Sequence, residues 1–121
     1  MPLKTDFSRM DCPIARTLDL VGECWSLLII RDVLQGKHRF DELQSSLGIA
    51  TNMLTTRLKR LTDAGILRRT AYQRHPLRYE YDLTEKGRAL GPVLLSLRQW
   101  GDQFLAKPAV RRNVRGRAAS A

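Results

Sequence analysis

Apolar residues recur along the chain with two periods, and the switch between them sets out the order of elements. Pro13 suits the first turn of a helix, and Ile14, Leu18 and Val21 follow at helical spacing up to Gly22. The stretch from Trp25 to Gln35 is apolar almost all round through Leu27, Leu28, Ile29, Ile30, Val33 and Leu34, the pattern of a central helix, and Gly36 ends it. Phe40, Leu43 and Leu47 mark a short third helix, with Gly48 placed for a left-handed C-terminal residue. From Thr51 to Ala64, Leu54, Leu58 and Leu61 stand at i, i+4 and i+7 and predict the buried stripe of a fourth helix.

Past Gly65 the period drops to two. Residues 66–73 and 77–83 read as strands joined by Arg74-His75-Pro76. In the second strand Leu77, Tyr79, Tyr81 and Leu83 alternate with Arg78, Glu80 and Asp82, which predicts a hairpin with one buried side. Thr84 is a good N-cap and Glu85 suits the positive end of a helix, so a last helix starts there. It carries Leu90, Val93, Leu94, Leu97, Trp100, Phe104 and Leu105, with a bend at Gly91-Pro92. Residues 1–11 show no periodicity and read as a flexible arm; residues 107–121 contain Arg111, Arg112, Arg115 and Arg117 without an acid and read as a basic disordered tail. The expected fold is mainly α with a small β-hairpin, folded as one domain over residues 12–106.

Composition narrows the partners. The chain has 121 residues, 43% of them hydrophobic, enough for one core. A formal net charge of +9 attracts polyanions, nucleic acid ahead of anionic membrane. The opening MPLKTDFSRMDCP lacks an apolar export core, and the best apolar run, residues 25–30, is bracketed by Glu23, Arg31 and Asp32. Neither export nor a membrane span is expected, and the expected location is cytoplasmic. Cys12 and Cys24 cannot build a disulfide framework and read as free thiols in a reducing compartment.

A short helix, a tight turn at Gly48, a second helix with a polar outer face and a hairpin with a basic tip follow the order of a winged helix-turn-helix. In such a fold the second helix lies in the major groove and the hairpin tip reaches adjacent backbone. With the leucines inward, Asn52, Thr55, Thr56 and Lys59 face outward and Arg57 and Arg60 flank them, with Thr51 at the helix start. Amides and hydroxyls suit base edges and phosphates, and cations suit phosphate or guanine. Arg57, Lys59, Arg60, Arg68, Arg69, Arg74 and Arg78 lie between this helix and the far side of the hairpin turn, with Asp63 the opposing acid beside them on the helix. That asymmetry is the footprint of a DNA-binding face, with Arg74, His75 and Arg78 as the wing contact. A basic nucleic-acid-binding or interaction module without operator specificity is the competing reading.

Catalytic and metal chemistry find no support. Cys12, Cys24, His38 and His75 do not have the spacing of a metal site. Neither a glycine-rich phosphate loop nor a Ser-His-Asp arrangement with a fitting context is present. No enzyme activity, cofactor or metal is expected, and both histidines read as polar loop residues.

From Cys12 to Trp100 the chain resembles the HxlR-type winged-helix regulators of bacteria and archaea. The resemblance rests on Cys12-Pro13, LDLVGECWSLLIIRDVL, GKHRFDELQSSLGI, MLTTRLKRLTDAGIL, YEYDLTEKGRAL and the late QWG, in that order. It implies a homodimeric transcription factor, usually a repressor, on a palindromic operator in double-stranded DNA. Its first and last helices would form the dimer interface, here through Ile14, Leu18, Leu94, Leu97, Trp100 and Phe104; intramolecular core is the other reading of Leu94, Leu97, Trp100 and Phe104. Many members have Ser-Pro where this chain has Ala50-Thr51, so either Thr51 caps the helix or the cap is weak. Cys24 and the Arg74-His75 pair are further departures from the pattern.

In some members a cysteine just before the first helix senses oxidants or electrophiles, and Cys12 matches that position; the inducer would then be an oxidant or a small molecule. A helix N-terminus stabilises a thiolate, and Arg9 and Arg16 are near in sequence, while Asp11 opposes. A small hydrophobe at the dimer seam is the other reading of Cys12, and both stand. Cys24, beside Trp25, reads as a core residue, and a Cys12–Cys24 disulfide stays open.

Overall fold

The structure, a computed structural model, describes residues 6–105 and 107. The expected tail beyond Lys107 and the first five residues of the arm lie outside the described residues. The described chain falls into two units, one ending at Gly91 and the other starting at Pro92.

The first unit contains helices α1 (Pro13–Val21), α2 (Ser26–Leu34), α3 (Phe40–Leu47) and α4 (Thr51–Asp63). These are followed by strands β1 (Leu67–Arg74) and β2 (Leu77–Leu83) and the short helix α5 (Glu85–Arg88). Each helix up to α4 lies within a residue or two of its expected span, because glycine sets the stops. Gly36, Gly48 and Gly65 all have positive φ, a conformation that a Cβ disfavours and that ends a helix cleanly. Pro13 stands at the start of α1, where its missing N–H has no helical partner to lose.

The core is the meeting of three stripes. Ile29, Ile30 and Val33 of α2, Leu43 of α3 and Leu54, Leu58 and Leu61 of α4 are buried, and Ile66, Leu67 and Leu83 close it at the base of the hairpin. Burying such side chains stabilises by roughly 1.5–3 kcal/mol each. Asp32 is also buried in α2; its Oδ1 accepts from Arg31 Nε at 3.0 Å.

β1 and β2 pair antiparallel from Leu67 opposite Leu83 out to Arg74 opposite Leu77, with a register shift between Ala71 and Gln73. The alternation in β2 predicts one buried side, and the structure corrects this: only Leu83 is buried, Tyr79 and Tyr81 are half-buried, and Leu77 at the tip is 53% exposed. The hairpin projects beyond the core, so its distal side chains have nothing to pack beneath. A second strand-like contact steadies it. Tyr81 N donates to the His38 carbonyl at 2.7 Å, and Arg39 forms an isolated bridge opposite Glu80.

Thr84 caps α5, accepting from Gly87 N at 3.1 Å. The bend expected at Gly91-Pro92 is a complete break. α5 ends at Arg88, and the second unit contains α6 (Gly91–Phe104). A Cβ at Gly87 would collide with the Ile66 carbonyl, so glycine is what lets α5 lie against the start of the hairpin. α6 buries no residue: Trp100 is 56% and Phe104 61% exposed, with their ring centroids 5.4 Å apart.

Candidate nucleic-acid interface

α4 begins after the turn at Gly48-Ile49-Ala50. Ile49 is buried and anchors that turn, and Gln44 Nε2 of α3 donates to Thr51 Oγ1 at 2.7 Å, which fixes the two helices at their junction. Ala50 is the N-cap and supplies no side-chain acceptor, and Thr51 lies inside the first turn. Of the two readings of this junction, the weak cap is the one observed. The first amides of α4 therefore point out of the helix with no side chain to satisfy them.

The outward edge of α4 is formed by Thr51, Asn52, Thr55, Thr56 and Lys59, all exposed. Thr55 Oγ1 donates to the Thr51 carbonyl and Thr56 Oγ1 to the Asn52 carbonyl, each at 2.9 Å, which orients both hydroxyl oxygens and leaves them able to accept. Lys59 Nζ lies 2.7 Å from Asp63 Oδ2, an exposed pair one helical turn apart that a phosphate could displace. Met53 also faces outward at 37% exposure. It is absent from the expected edge because its apolar character resembles packing; the same character suits a thymine methyl.

Arg57 and Arg60 are engaged within the chain. Arg57 Nε lies 2.8 Å from Glu23 Oε2, an ion pair carried by charge more than by aligned hydrogen bonding. Arg60 Nη2 donates to the Asp19 carbonyl at 2.6 Å and stands 3.8 Å from its carboxylate. Both side chains are only part-exposed. The count of basic residues around α4 with Asp63 as the near acid thus omitted Glu23 and Asp19, which arrive from the end of α1 and the turn after it. A single helical wheel cannot show partners on other elements.

Glu23 has a second task. Its Oε1 accepts from Trp25 N at 3.1 Å, Ser26 N at 2.6 Å and Ser26 Oγ at 2.7 Å, so one carboxylate caps α2 and holds α4. Burial alone would raise its pKa. The Ser26 and Trp25 donors, with the adjacent Arg57 guanidinium, outweigh that and hold the carboxyl below its ordinary value. Asp19 is shared in the same way, since its Oδ1 accepts from Phe7 N at 2.9 Å.

At the wing, Arg74, His75 and Arg78 are exposed around the turn, and none of them meets a carboxylate among the described residues. Arg69 stacks 4.1 Å from the Tyr79 ring centroid and Arg39 3.8 Å from that of Tyr72, contacts that stiffen the hairpin. Burial pushes the Tyr81 hydroxyl up in pKa, with Arg69 acting the other way. His38 proves more than a polar loop residue: its Nδ1 is 2.9 Å from the Tyr81 carbonyl and 3.2 Å from Asp82 Oδ1, joining the loop before α3 to the wing.

Of the two cysteines, Cys24 departs from its expected environment. Cys24, expected in the core, is exposed, because the turn between α1 and α2 turns it outward while Val21 and Ser26 fill the interior. Cys12 is half-buried at the N-cap of α1, and both thiols are free.

Residues 20–109 match the HxlR-like helix-turn-helix family. The chain belongs to this family. Within it, this HxlR chain is 44% identical over 95 residues to the otherwise uncharacterised helix-turn-helix-type transcriptional regulator Rv3095 of Mycobacterium tuberculosis. That match covers 78% of the chain and 60% of the relative, so the chain spans about three fifths of that relative's length. It is 37% identical over 106 residues to the regulator YdeP of Bacillus subtilis, covering 84% of the chain and 83% of YdeP. Among solved structures, the redox regulator HypR in its oxidised form superposes with a TM-score of 0.71 at 36% identity, over 78% of this HxlR chain and 99% of HypR. The fold is accordingly a winged helix-turn-helix, with α3 and α4 as the helix pair and β1–β2 as the wing. Among the described residues no helix is long and apolar enough to cross a membrane, and no three His, Cys, Asp or Glu side chains group as metal ligands.

Proposed function

We propose that this protein is a homodimeric transcriptional repressor that binds a palindromic operator in double-stranded DNA through residues 12–106. The observation that carries the reading is the exposed edge Thr51, Asn52, Thr55, Thr56 and Lys59 on a helix whose opposite face is locked into the core, with a basic wing tip that meets no carboxylate among the described residues. Asn52 and the threonines meet base edges and nearby phosphates in the major groove, and Lys59 meets phosphate or guanine. The unsatisfied amides at the start of α4 favour a phosphate there. Arg74, His75 and Arg78 reach the flanking backbone. Arg57 and Arg60 contribute mainly by holding α4 in place, with phosphate contact secondary.

The dimer is formed by α1 and α6. Ile14 is 71% exposed and Leu18 52%, and Leu97, Trp100 and Phe104 are exposed along α6 with Leu94 half-buried. Apolar helix faces of that extent are covered by a partner in solution, and a second copy supplies one by symmetry. Cys12 is the sensing thiol, modified by an oxidant or electrophile that acts as inducer; the likeness to HypR, a redox regulator, supports this reading.

Selection of bound sequences from random DNA tests the whole. A twofold-symmetric site with half-sites about one or two helical turns apart is expected, preferred over random DNA by orders of magnitude. Neutralising about six phosphates predicts roughly a thousandfold loss of affinity between low and physiological salt. No preferred site would leave only a basic nucleic-acid-binding module, and a flat salt dependence would remove DNA altogether. Oxidant should change operator affinity in the wild type and leave Cys12→Ser unaffected; an equal response in both would dismiss Cys12.

A further inference from the structure

Away from the outward edge of α4, a cavity of about 340 Å3 opens between α1, the start of the hairpin and α5. Its apolar wall includes Leu20, Val21, Ile66 and Leu90, and two cations, Arg16 and Lys86, also line it. Neither cation meets a carboxylate among the described residues. Arg16 Nη1 donates to the Met10 carbonyl and Lys86 Nζ to the Ala64 carbonyl, each at 2.7 Å. Two exposed positive charges thus stand at the rim of an apolar hollow, each with a carbonyl and no carboxylate as its protein partner among the described residues.

We propose that this cavity binds a small organic anion, a carboxylate carried on a single aromatic ring or a short aliphatic chain. A carboxylate offers Arg16 and Lys86 a full charge, and charge-paired hydrogen bonds are roughly twice as strong as those to neutral acceptors. The leucine, valine and isoleucine side chains take the apolar body out of water. A volume of about 340 Å3 is at the small end of the range for ligand clefts, which suits a compact ligand. An amine is repelled by like charge, and a neutral amide offers the two cations no charge.

The two carbonyls that now hold the cations connect the cavity to the rest of the molecule. Met10 lies two residues before Cys12, and Ala64 is the C-cap of α4. A carboxylate that draws Arg16 and Lys86 away releases the arm and the last turn of α4 together. Operator affinity then falls on binding, a consequence that rests on the DNA-binding reading, whereas the anion site itself does not.

The test is calorimetric titration of the full chain with sodium benzoate, sodium hexanoate, benzamide and benzylamine at constant ionic strength. At least one carboxylate is expected to bind, with benzamide and benzylamine weaker by about tenfold or more. Arg16→Met and Lys86→Met should each weaken that carboxylate by a similar factor while keeping the circular dichroism spectrum of the wild type. Benzamide binding as tightly as benzoate, or carboxylate binding unchanged in both variants, overturns the site. So does the absence of binding by either carboxylate, the result expected if a helix of a second copy fills the hollow. In that case the two variants shift the sedimentation of the protein instead. Weaker operator binding in benzoate, lost in Lys86→Met, supports the coupling. Carboxylate binding by a protein that selects no DNA site overturns the functional reading and leaves the anion site standing.

Discussion

α4 and α6 are helices of 13 and 14 residues with comparable numbers of leucines, and they are used in opposite ways. In α4 the leucines Leu54, Leu58 and Leu61 are buried and the outward face is polar and basic. In α6 no residue is buried, and the outward residues include Leu95, Leu97, Trp100 and Phe104. An amphipathic helix whose stripe is covered inside its own chain can devote the other face to a polyanion. One whose stripe stays open offers that surface to a partner, which on the proposed reading is a second copy.

The sharpest way to break this comparison is to delete leucines on each helix. Leu58 is 1% exposed, so Leu58→Ala should cost about 2–5 kcal/mol in urea unfolding, with a midpoint independent of protein concentration. Leu97→Ala should stay within about 0.5 kcal/mol in dilute protein. An equal loss at Leu97 under those conditions would mean that α6 packs as core. Trp100→Ala should weaken self-association by about 2 kcal/mol, roughly thirtyfold, in analytical ultracentrifugation. An unchanged dissociation constant would take α6 out of the interface.

Arg57→Ala tests whether the flank of α4 is structural. It should lower stability by about 1–2 kcal/mol at neutral pH by stripping Glu23 of its charged partner. The Glu23 carboxyl is depressed in the folded state, so its contribution is complete above the ordinary glutamate value and is lost as pH falls through the lowered one. The gap between wild type and Arg57→Ala should close over that acidic window in urea midpoints measured against pH. A gap that persists in acid would assign the loss to packing of the arginine stem. Lys59→Ala should have the smallest effect on folding, within about 0.5 kcal/mol. It should lower the slope of log affinity against log salt by about one for operator DNA. An unchanged slope would remove Lys59 from the reading edge.

Much of this architecture was legible in the residues because the stops are glycines and the stripes are leucines. Gly48 and Gly65 bracket α4, and the spacing of Leu54, Leu58 and Leu61 determines which face turns outward. The family resemblance from Cys12 to Trp100 agrees with the match over residues 20–109. What stayed hidden was contact between elements distant in sequence. Nothing near Arg60 announces Asp19, nor does anything near His38 announce the Tyr81 carbonyl. Alternation in β2 could not reveal that the hairpin outruns the core, so Leu77 was placed on a buried side. Trp25 beside Cys24 suggests packing, yet Cys24 is exposed, because adjacent residues in a turn face different ways.

Glu23 and Asp19 grip Arg57 and Arg60, which are three residues apart and on the same side of α4. Two anchors so placed fix the angle at which the helix is rolled about its own axis. A roll of one residue, about 100°, would carry Asn52 and Thr56 off the outward edge. On the proposed DNA-binding reading, base preference is set in part by two acids that touch no base, and exchanging either of them is expected to shift the target sequence without altering the outward edge.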